Sequence, residues 1–356
     1  MERYIGLDVH AKSCTMVVLS QSGRLLRERI VETNGAALVE AIRVEPGHKH
    51  ICLEEGTQSA WLYEILSPHV HEVVVLQERR SRGPKSDSKD ARELAEKLRT
   101  GAVDCRVFKA PKQFARLRIL ARVHQMVVRD FVRTKSRVKS MYRARGIQTS
   151  SRSVCGHTER EAWQAKLPAS SRTAMTRLYE QLDFFVELRE QAENDLVTEL
   201  QKHRIARVLQ TCPGMGPIRV ARLLPVVVTP HRFRTKQQFW SYCGLAVVTR
   251  SSADWVQAPD GSWMRAKVAQ TRGLNRRRNG VLKDVFKGAA TTVITKLHDD
   301  PLYVDYQRLL DTGTKPPLAK VTVARKIAAT VLRMWKNEEE YDPDKYRNKP
   351  IARRSS

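Results

Sequence analysis

The first 105 residues alternate between short β-rich runs and short helical patterns, and this alternation limits the folds open to that part of the chain. Runs at Tyr4–Leu19 and Leu25–Glu32 are separated by residues 20–23, Ser-Gln-Ser-Gly, which are typical of a hairpin turn. Helical patterns and further apolar runs then alternate at 36–42, 51–53, 61–66 and 73–76. An opening hairpin followed by such an alternation predicts a mixed β-sheet covered by helices.

A long basic helical pattern follows. Between Arg106 and Arg145 the chain has thirteen Lys or Arg residues and one acid, Asp130, among apolar residues at helical spacing. The alternative interpretation is a solvated charged face, but so one-sided a composition favours contact with a phosphate backbone. The expected contact residues are Arg129, Arg133, Lys135, Arg137 and Lys139.

The next helical pattern, Arg172–Lys202, is much less basic and has apolar residues at steps of three and four. We interpret it as the antiparallel partner of the basic helix in a hairpin, or as a coiled coil between subunits. The chain is therefore expected to be α/β at its N-terminus and mainly helical afterwards.

A third region opens with two short helical patterns around Pro213-Gly214-Met215-Gly216-Pro217. This layout predicts a helix-hairpin-helix, in which Gly214 and Gly216 let backbone N–H groups approach a phosphate. Another amphipathic helix is expected at Pro317–Trp335, before a polar tail. The predicted domains are 1–105, 106–205, 206–300 and 301–356.

Composition points to a polyanionic partner. The chain carries 64 Lys and Arg against 38 Asp and Glu, for a formal net charge of +26. Nucleic acid is the leading candidate and an anionic membrane surface the weaker one. No apolar run is long enough to cross a membrane, and the six cysteines lack a C-x-x-C spacing that would indicate zinc. We expect a cytoplasmic protein.

Several carboxylates stand out on so basic a chain. Asp8 and the pair Glu54-Glu55 end two apolar runs, and Asp87 and Asp90 lie three apart at the start of a helical pattern. Asp87 and Asp90 would share one face of a first helical turn, where acids also serve as ordinary caps. In combination with the strand-end acids, however, they favour a site for divalent metal ions.

The order of these residues resembles a known family. Asp8 within Ile5-Gly6-Leu7-Asp8-Val9-His10, the segment Leu53–Thr57, and Asp87 and Asp90 within 85–91 look like the RuvC-like domain of the DEDD transposases of the insertion sequence 110 family. The third region is similar to that family's C-terminal domain. The matching segments there are Pro213–Pro217, His231–Phe233, Tyr242–Leu245, Arg250–Ser252 and Thr271–Asn275.

The resemblance implies a ribonuclease-H fold for the first domain and metal-dependent strand transfer. Asp8, Glu55, Asp87 and Asp90 would bind Mg²⁺, with about two ions per active site. Glu54 stays an alternative to Glu55. A serine would attack a DNA phosphate; Ser252 is the expected nucleophile and Ser251 the alternative.

Cations close to that serine in sequence are expected to contact DNA or RNA, because arginine binds phosphate oxygens bidentately. They are Arg250, Arg272, Arg276, Arg277 and Arg278. The resemblance further implies donor and target DNA as substrates and a noncoding guide RNA, the bridge RNA, that pairs with both. It also implies a homo-oligomer, a dimer assembling into a tetramer, in a prokaryotic nucleoid.

Two other functions are compatible with the residues. A RuvC-like nuclease or junction resolvase would hydrolyse DNA with water and need no serine. A non-catalytic nucleic-acid scaffold would use the acids only to cap helices and offset charge.

Overall fold

A computed structural model of the chain describes residues 1–77, 86–110, 112–149, 153–250, 255–265, 270–275 and 278–347. The chain divides into two compact units, Met1–Gln113 and Phe114–Ser356. Among the described residues, no helix combines the length and the apolar composition needed to cross a membrane.

The first unit is a five-stranded mixed sheet with three helices. The strands are β1 Glu2–Val9, β2 Ser13–Ser20, β3 Leu25–Glu32, β4 His48–Glu54 and β5 Glu72–Leu76; the helices are α1 Gly35–Arg43, α2 Ser59–Leu66 and α3 Asp87–Arg99. The strand order is β3-β2-β1-β4-β5. β2 is antiparallel to both β1 and β3, whereas β1, β4 and β5 are parallel. This is a ribonuclease-H-like sheet, as predicted.

Side chains alternate between the two faces of this sheet. Ile5 and Leu7 of β1 pack with residues of α1 and α2 in one core cluster. Cys52 of β4 packs on the opposite face against Leu94 and Leu98 of α3. The described residues of the unit therefore form three layers, with α3 on the second face.

The predicted run Tyr4–Leu19 is two strands, not one. The chain turns at residues 10–12, where the backbone N–H of His10 donates to the carbonyl of Ser13. This turn contains neither glycine nor proline, so the sequence pattern showed no break there. The sheet unit also extends beyond residue 105, because the N–H of Val107 donates to the Val75 carbonyl of β5.

The second unit begins with a long helical hairpin made of α4 Ala115–Arg143 and α6 Ala169–Gln201, with the short α5 Arg160–Ala165 between them. Val138 and Tyr142 near the end of α4 pack with Met175 near the start of α6. At the other end, Leu117 of α4 and Leu196 of α6 share a second core. The two helices are therefore antiparallel, and the predicted hairpin is confirmed.

The rest of the second unit is mainly helical. Its helices are α7 Arg204–Gln210, α8 Pro217–Val227, α9 Lys236–Tyr242, α10 Gly280–Lys296, α11 Pro301–Asp311, α12 Pro316–Asn337 and α13 Pro343–Arg347. Four short strands form two antiparallel pairs: β6 Val247–Arg250 with β9 Gln270–Leu274, and β7 Trp255–Gln257 with β8 Trp263–Arg265. Capping residues in the sequence mark where some of these helices begin. At α9, for example, Thr235 and Gln238 form a capping box. A single core joins residues from α4 to α12, so the described residues of 206–300 and of 301–347 pack together.

Candidate active site

Asp8 is placed by the alternation of β1. Ile5 and Leu7 face α1 and α2, so Gly6 and Asp8 face the side covered by α3. β1 ends one residue after Asp8, at Val9. The side chain is largely shielded, with 20% of its surface exposed. The strand therefore presents Asp8 at its end, on the α3 face.

Gly6 determines how closely α3 approaches this strand. A Cβ atom built on Gly6 would lie 1.8 Å from the backbone oxygen of Ala91 and 2.8 Å from the backbone nitrogen of Ala95. Only glycine leaves room for a helix backbone at that distance. Because Ala91 lies in the second turn of α3, this contact brings the first turn, with Asp87 and Asp90, towards the end of β1.

Asp8 and Asp87 converge on a residue that the sequence analysis did not select, His10. The Nε2 atom of His10 lies 3.3 Å from Asp8 Oδ2 and 3.3 Å from Asp87 Oδ2. One ligand atom from each of the three side chains lies within 4.8 Å of the other two. His10 and Asp87 are both more than half exposed, so the group is open to solvent. Strand β1, the turn after it and helix α3 thus each contribute one side chain to this cluster.

The pKa of Asp8 is raised, chiefly by burial and further by the neighbouring carboxylates. Burial raises the pKa of Asp8, His10 opposes that increase, and the nearby carboxylates of Asp87 and Asp90 add to it. Asp90 therefore lies within electrostatic reach of Asp8. A cation placed among these groups would relieve the repulsion. Carboxylate oxygens with one imidazole suit a hard divalent cation such as Mg²⁺ or Mn²⁺.

Glu55, the predicted partner of these acids, has other contacts. Its carboxylate lies 2.5 Å from the Nζ atom of Lys109 and accepts a hydrogen bond from the Ser59 hydroxyl at 3.1 Å. The Lys109 Nζ atom also donates to Ser59 at 2.9 Å. Only 11% of the Lys109 side chain is exposed, whereas 40% of the Glu55 side chain is. The structure does not bring Glu55 to the Asp8–His10–Asp87 cluster.

Glu54, unlike Glu55, is aligned with Asp8 across the pairing of β4 with β1. Leu53 of β4 pairs with Leu7 of β1, so the next pair along the parallel ladder is Glu54 beside Asp8. Two residues before Glu54, Cys52 packs against α3, and alternation puts Glu54 on the same face. Glu54 lines a small cavity with Leu94 and Lys97 of α3. It thus shares both the sheet edge and the sheet face of Asp8.

The predicted serine lies outside the described residues, together with Ser251, Arg276 and Arg277. The chain on either side of the serine is described. Arg250 ends β6 and lies opposite Gln270 of β9, the strand that contains Arg272. Arg278 is exposed and packs over Gly244, where a Cβ atom would lie 2.0 Å from its Cδ atom.

The two glycines between α7 and α8 have different surroundings. Gly214 has a φ of +77°, and a Cβ atom there would lie 2.5 Å from the backbone oxygen of Ala289 in α10. Close packing against α10 therefore accounts for this glycine. Gly216 is exposed, with nothing within 4 Å of a Cβ position, and precedes α8. Of the two glycines, Gly216 is the more exposed.

The basic residues predicted on α4 lie mostly at its surface. Arg129 and Arg137 are exposed, and Lys139 is half-buried. Arg133 pairs with Asp130 at 2.8 Å, and the Lys135 Nζ atom lies 5.2 Å from the centre of the Phe131 ring. Among the described residues, only Arg133 of the five therefore has a carboxylate within ion-pair distance, and the other four have none.

Comparison with known proteins identifies the chain. Residues 5–144 match the family model DEDD_Tnp_IS110, described as a transposase, and residues 206–299 match the Transposase IS116/IS110/IS902 family. None of the curated proteins with which the chain was compared matches it. The two matches together cover most of the chain and follow the order expected from the motifs. Transposases of the DEDD class act on DNA and typically use divalent metal ions. The chain therefore belongs to the IS110 family of DEDD transposases and is a DNA transposase/recombinase.

Proposed function

We propose that the chain is an RNA-guided DNA recombinase of an insertion sequence, which cuts and rejoins strands with a metal-binding carboxylate site and a serine nucleophile. The convergence of Asp8 and Asp87 on one point, with His10 between them, is the observation that supports this best. Asp90 adds charge to the same site. The proposal concerns the first unit for metal binding and the second for the nucleophile.

For the fourth carboxylate we propose Glu54 rather than Glu55. Glu54 is the position in register with Asp8 and on the same sheet face. Glu55 instead pairs with Lys109 and Ser59, which anchors the segment between β4 and α2. In this assignment Asp8, Glu54, Asp87 and Asp90 would hold the ion, and His10 would be an additional nitrogen donor.

Bound divalent metal would neutralise charge on the phosphate oxygens and make a nearby hydroxyl more acidic. The chain's fold positions the carboxylates that would bind the metal. Asp8 is held at the end of β1, and the packing of α3 on Gly6 sets the position of Asp87. In the proposed step the Ser252 oxygen forms a bond to the phosphorus of a DNA strand. The bond from that phosphorus to the neighbouring sugar oxygen breaks; the serine hydroxyl releases its proton to solvent, and the leaving oxygen takes up a proton from solvent. A second strand then reverses the step and releases the serine.

Guide RNA and assembly complete the proposal. The chain's net charge of +26 provides binding capacity for more than one nucleic acid. We propose that a noncoding RNA pairs with donor and target DNA, so that the protein binds backbone and shape. Cutting and rejoining two duplexes requires several active sites, which a dimer assembling into a tetramer would supply.

The test is strand transfer by the purified chain with donor DNA, target DNA and RNA transcribed from the flanking noncoding region. We expect Asp8→Asn and Glu54→Gln to abolish transfer, whereas Glu55→Gln should retain most of it. A protein–DNA adduct should form with the parent and with Ser251→Ala, but not with Ser252→Ala.

Three results would contradict the proposal in different ways. Full cleavage by Ser252→Ala without any adduct in the parent would indicate a hydrolytic nuclease or resolvase. Normal activity of Asp8→Asn, or no dependence on divalent metal, would indicate a scaffold. Loss of transfer in Glu55→Gln but not in Glu54→Gln would restore Glu55 to the metal site.

A further inference from the structure

Three arginines of the second unit lie on two helices that pack together, α4 and α8. Arg219 and Arg222 are on α8, and Arg129 is on α4, which packs against α8. We call these residues the arginine cluster. Arg219 and Arg222 are half-buried, and Arg129 is exposed. Of the three, only Arg129 lies in the strongly basic stretch of the sequence, whereas α8 is otherwise apolar.

Neutral groups hold these guanidinium groups in place. With its amide oxygen facing them, Gln125 accepts hydrogen bonds from Arg222 Nη2 at 3.3 Å and Arg129 Nη2 at 3.2 Å. Arg219 Nη1 donates to the backbone oxygen of Gly214 at 2.6 Å. Arg219 also crosses α10 at Gly288, where a Cβ atom would lie 3.2 Å from its Nε atom. The cluster is therefore positioned without any acid.

Its positive charge is left uncompensated at close range. Among the described residues, no carboxylate lies within 4.0 Å of a guanidinium nitrogen of these three arginines. The Nε atom of Arg222 is shielded from solvent and has no hydrogen-bond partner in the described part of the chain. Burial lowers the pKa of Arg222; Asp284 opposes this from a longer distance, and Arg129 adds to it. Burial also lowers the pKa of Arg219, and Arg222 contributes.

Half-buried guanidinium groups without a nearby carboxylate destabilise the folded protein, because arginine stays charged in proteins and like charges repel. A bound anion would neutralise this positive charge and stabilise the folded protein. Guanidinium groups match phosphate oxygens in geometry, and those of the cluster are already oriented by Gln125 and Gly214. We propose that Arg129, Arg219 and Arg222 form a binding site for a backbone phosphate of nucleic acid. This proposal rests on the chain's action on nucleic acid and is independent of the metal site.

The test measures binding of the full chain to a labelled DNA duplex and a labelled RNA hairpin over a range of salt concentrations. We expect Arg222→Gln to weaken binding of the preferred nucleic acid about 10- to 100-fold, as loss of a charged hydrogen bond predicts. The slope of log affinity against log salt should decrease by about 0.9 for the duplex, or by about 0.7 for a single-stranded contact. Whichever nucleic acid shows the change is the one bound.

Arg177→Gln is the matched control. It removes the same charge from an exposed arginine of α6 that pairs with Glu180 at 2.8 Å. We expect its affinity and salt slope to stay close to those of the parent. An equal effect of the two substitutions would show that only net charge matters and would overturn the proposal.

Thermal unfolding of the free protein separates binding from a structural role. Removing an uncompensated charge should leave Arg222→Gln at least as stable as the parent. A lower melting temperature together with an unchanged salt slope would overturn the proposal, because it would identify Arg222 as a structural residue. Binding is measured in EDTA, without divalent metal, so failure of the metal site would leave this result intact.

Discussion

Substituting Gly6 by alanine tests whether the packing of α3 on β1 positions the candidate active site. An added Cβ atom would lie 1.8 Å from the backbone oxygen of Ala91. For that contact to reach 3.0–3.4 Å, α3 must move away from β1 by about 1.2–1.6 Å. The obstructing atoms belong to the helix backbone, so no side-chain rotation can relieve the clash. Asp87 and Asp90 would move with the helix, away from Asp8.

Two measurable effects should follow. Overpacking of this kind lowers the free energy of unfolding by about 1–3 kcal/mol. A displacement of roughly 1 Å in a catalytic group costs about 100-fold in rate. We expect Gly6→Ala to show both, by urea denaturation and by strand transfer measured well below its unfolding temperature.

Gly35→Ala is the control within the same unit. A Cβ atom there would lie 3.6 Å from the Trp61 ring, an ordinary contact, so stability and rate should stay near those of the parent. Nucleic-acid binding by Gly6→Ala should also be normal, which excludes global unfolding as the cause. Transfer at the parental rate by a Gly6→Ala protein of parental stability would refute the proposed role of this contact.

Three further outcomes are expected. His10→Ala should raise the metal concentration for half-maximal transfer about 10- to 100-fold, and an unchanged metal titration would exclude His10 as a ligand. Mg²⁺ should raise the melting temperature of the parent but not of Asp87→Asn; an equal rise in both would place the ion elsewhere. Arg160, which pairs bidentately with Asp183, lowers the pKa of that carboxylate. Its stabilisation should be complete above the ordinary pKa of 3.8 and be lost as the pH falls through the lowered pKa. Asp183→Asn should be less stable by about 1.5–3 kcal/mol at neutral pH, with a smaller loss on acidification; parallel pH profiles would contradict this.

The acids at the strand ends could be predicted because their pattern lies within short stretches of sequence. Apolar runs that end in Asp or Glu and a helix that starts with two Asp residues are visible without tertiary contacts. His10 was not predictable in this way. Its position depends on a turn at residues 10–12 that has no glycine or proline, and on α3 reaching across the sheet. Its signal in the sequence is its place two residues after Asp8.

Glu54 and Glu55 show why adjacent residues need the sheet register to be distinguished. Residues that follow one another on a strand face opposite sides, so a difference of one position decides which face a carboxylate occupies. The pairing of Leu7 with Leu53 fixes that register and aligns Glu54 with Asp8. A motif aligned by residue type alone contains no information about register, so the sequence is compatible with either Glu54 or Glu55 as the metal ligand.

The arginine cluster leads to a related argument about charge. Residues 106–145 are the most basic stretch of the sequence that we predicted to contact phosphate. Two of the five residues predicted there have ordinary contacts, however: Arg133 pairs with Asp130, and Lys135 lies over the Phe131 ring. α8 has two arginines in an apolar helix and no unusual composition. What makes Arg222 informative is that it is half-buried among other cations, where an unpaired charge is costly. On a chain with 64 basic residues, burial without a counter-charge is therefore a stronger indication of a specific phosphate contact than the local number of cations.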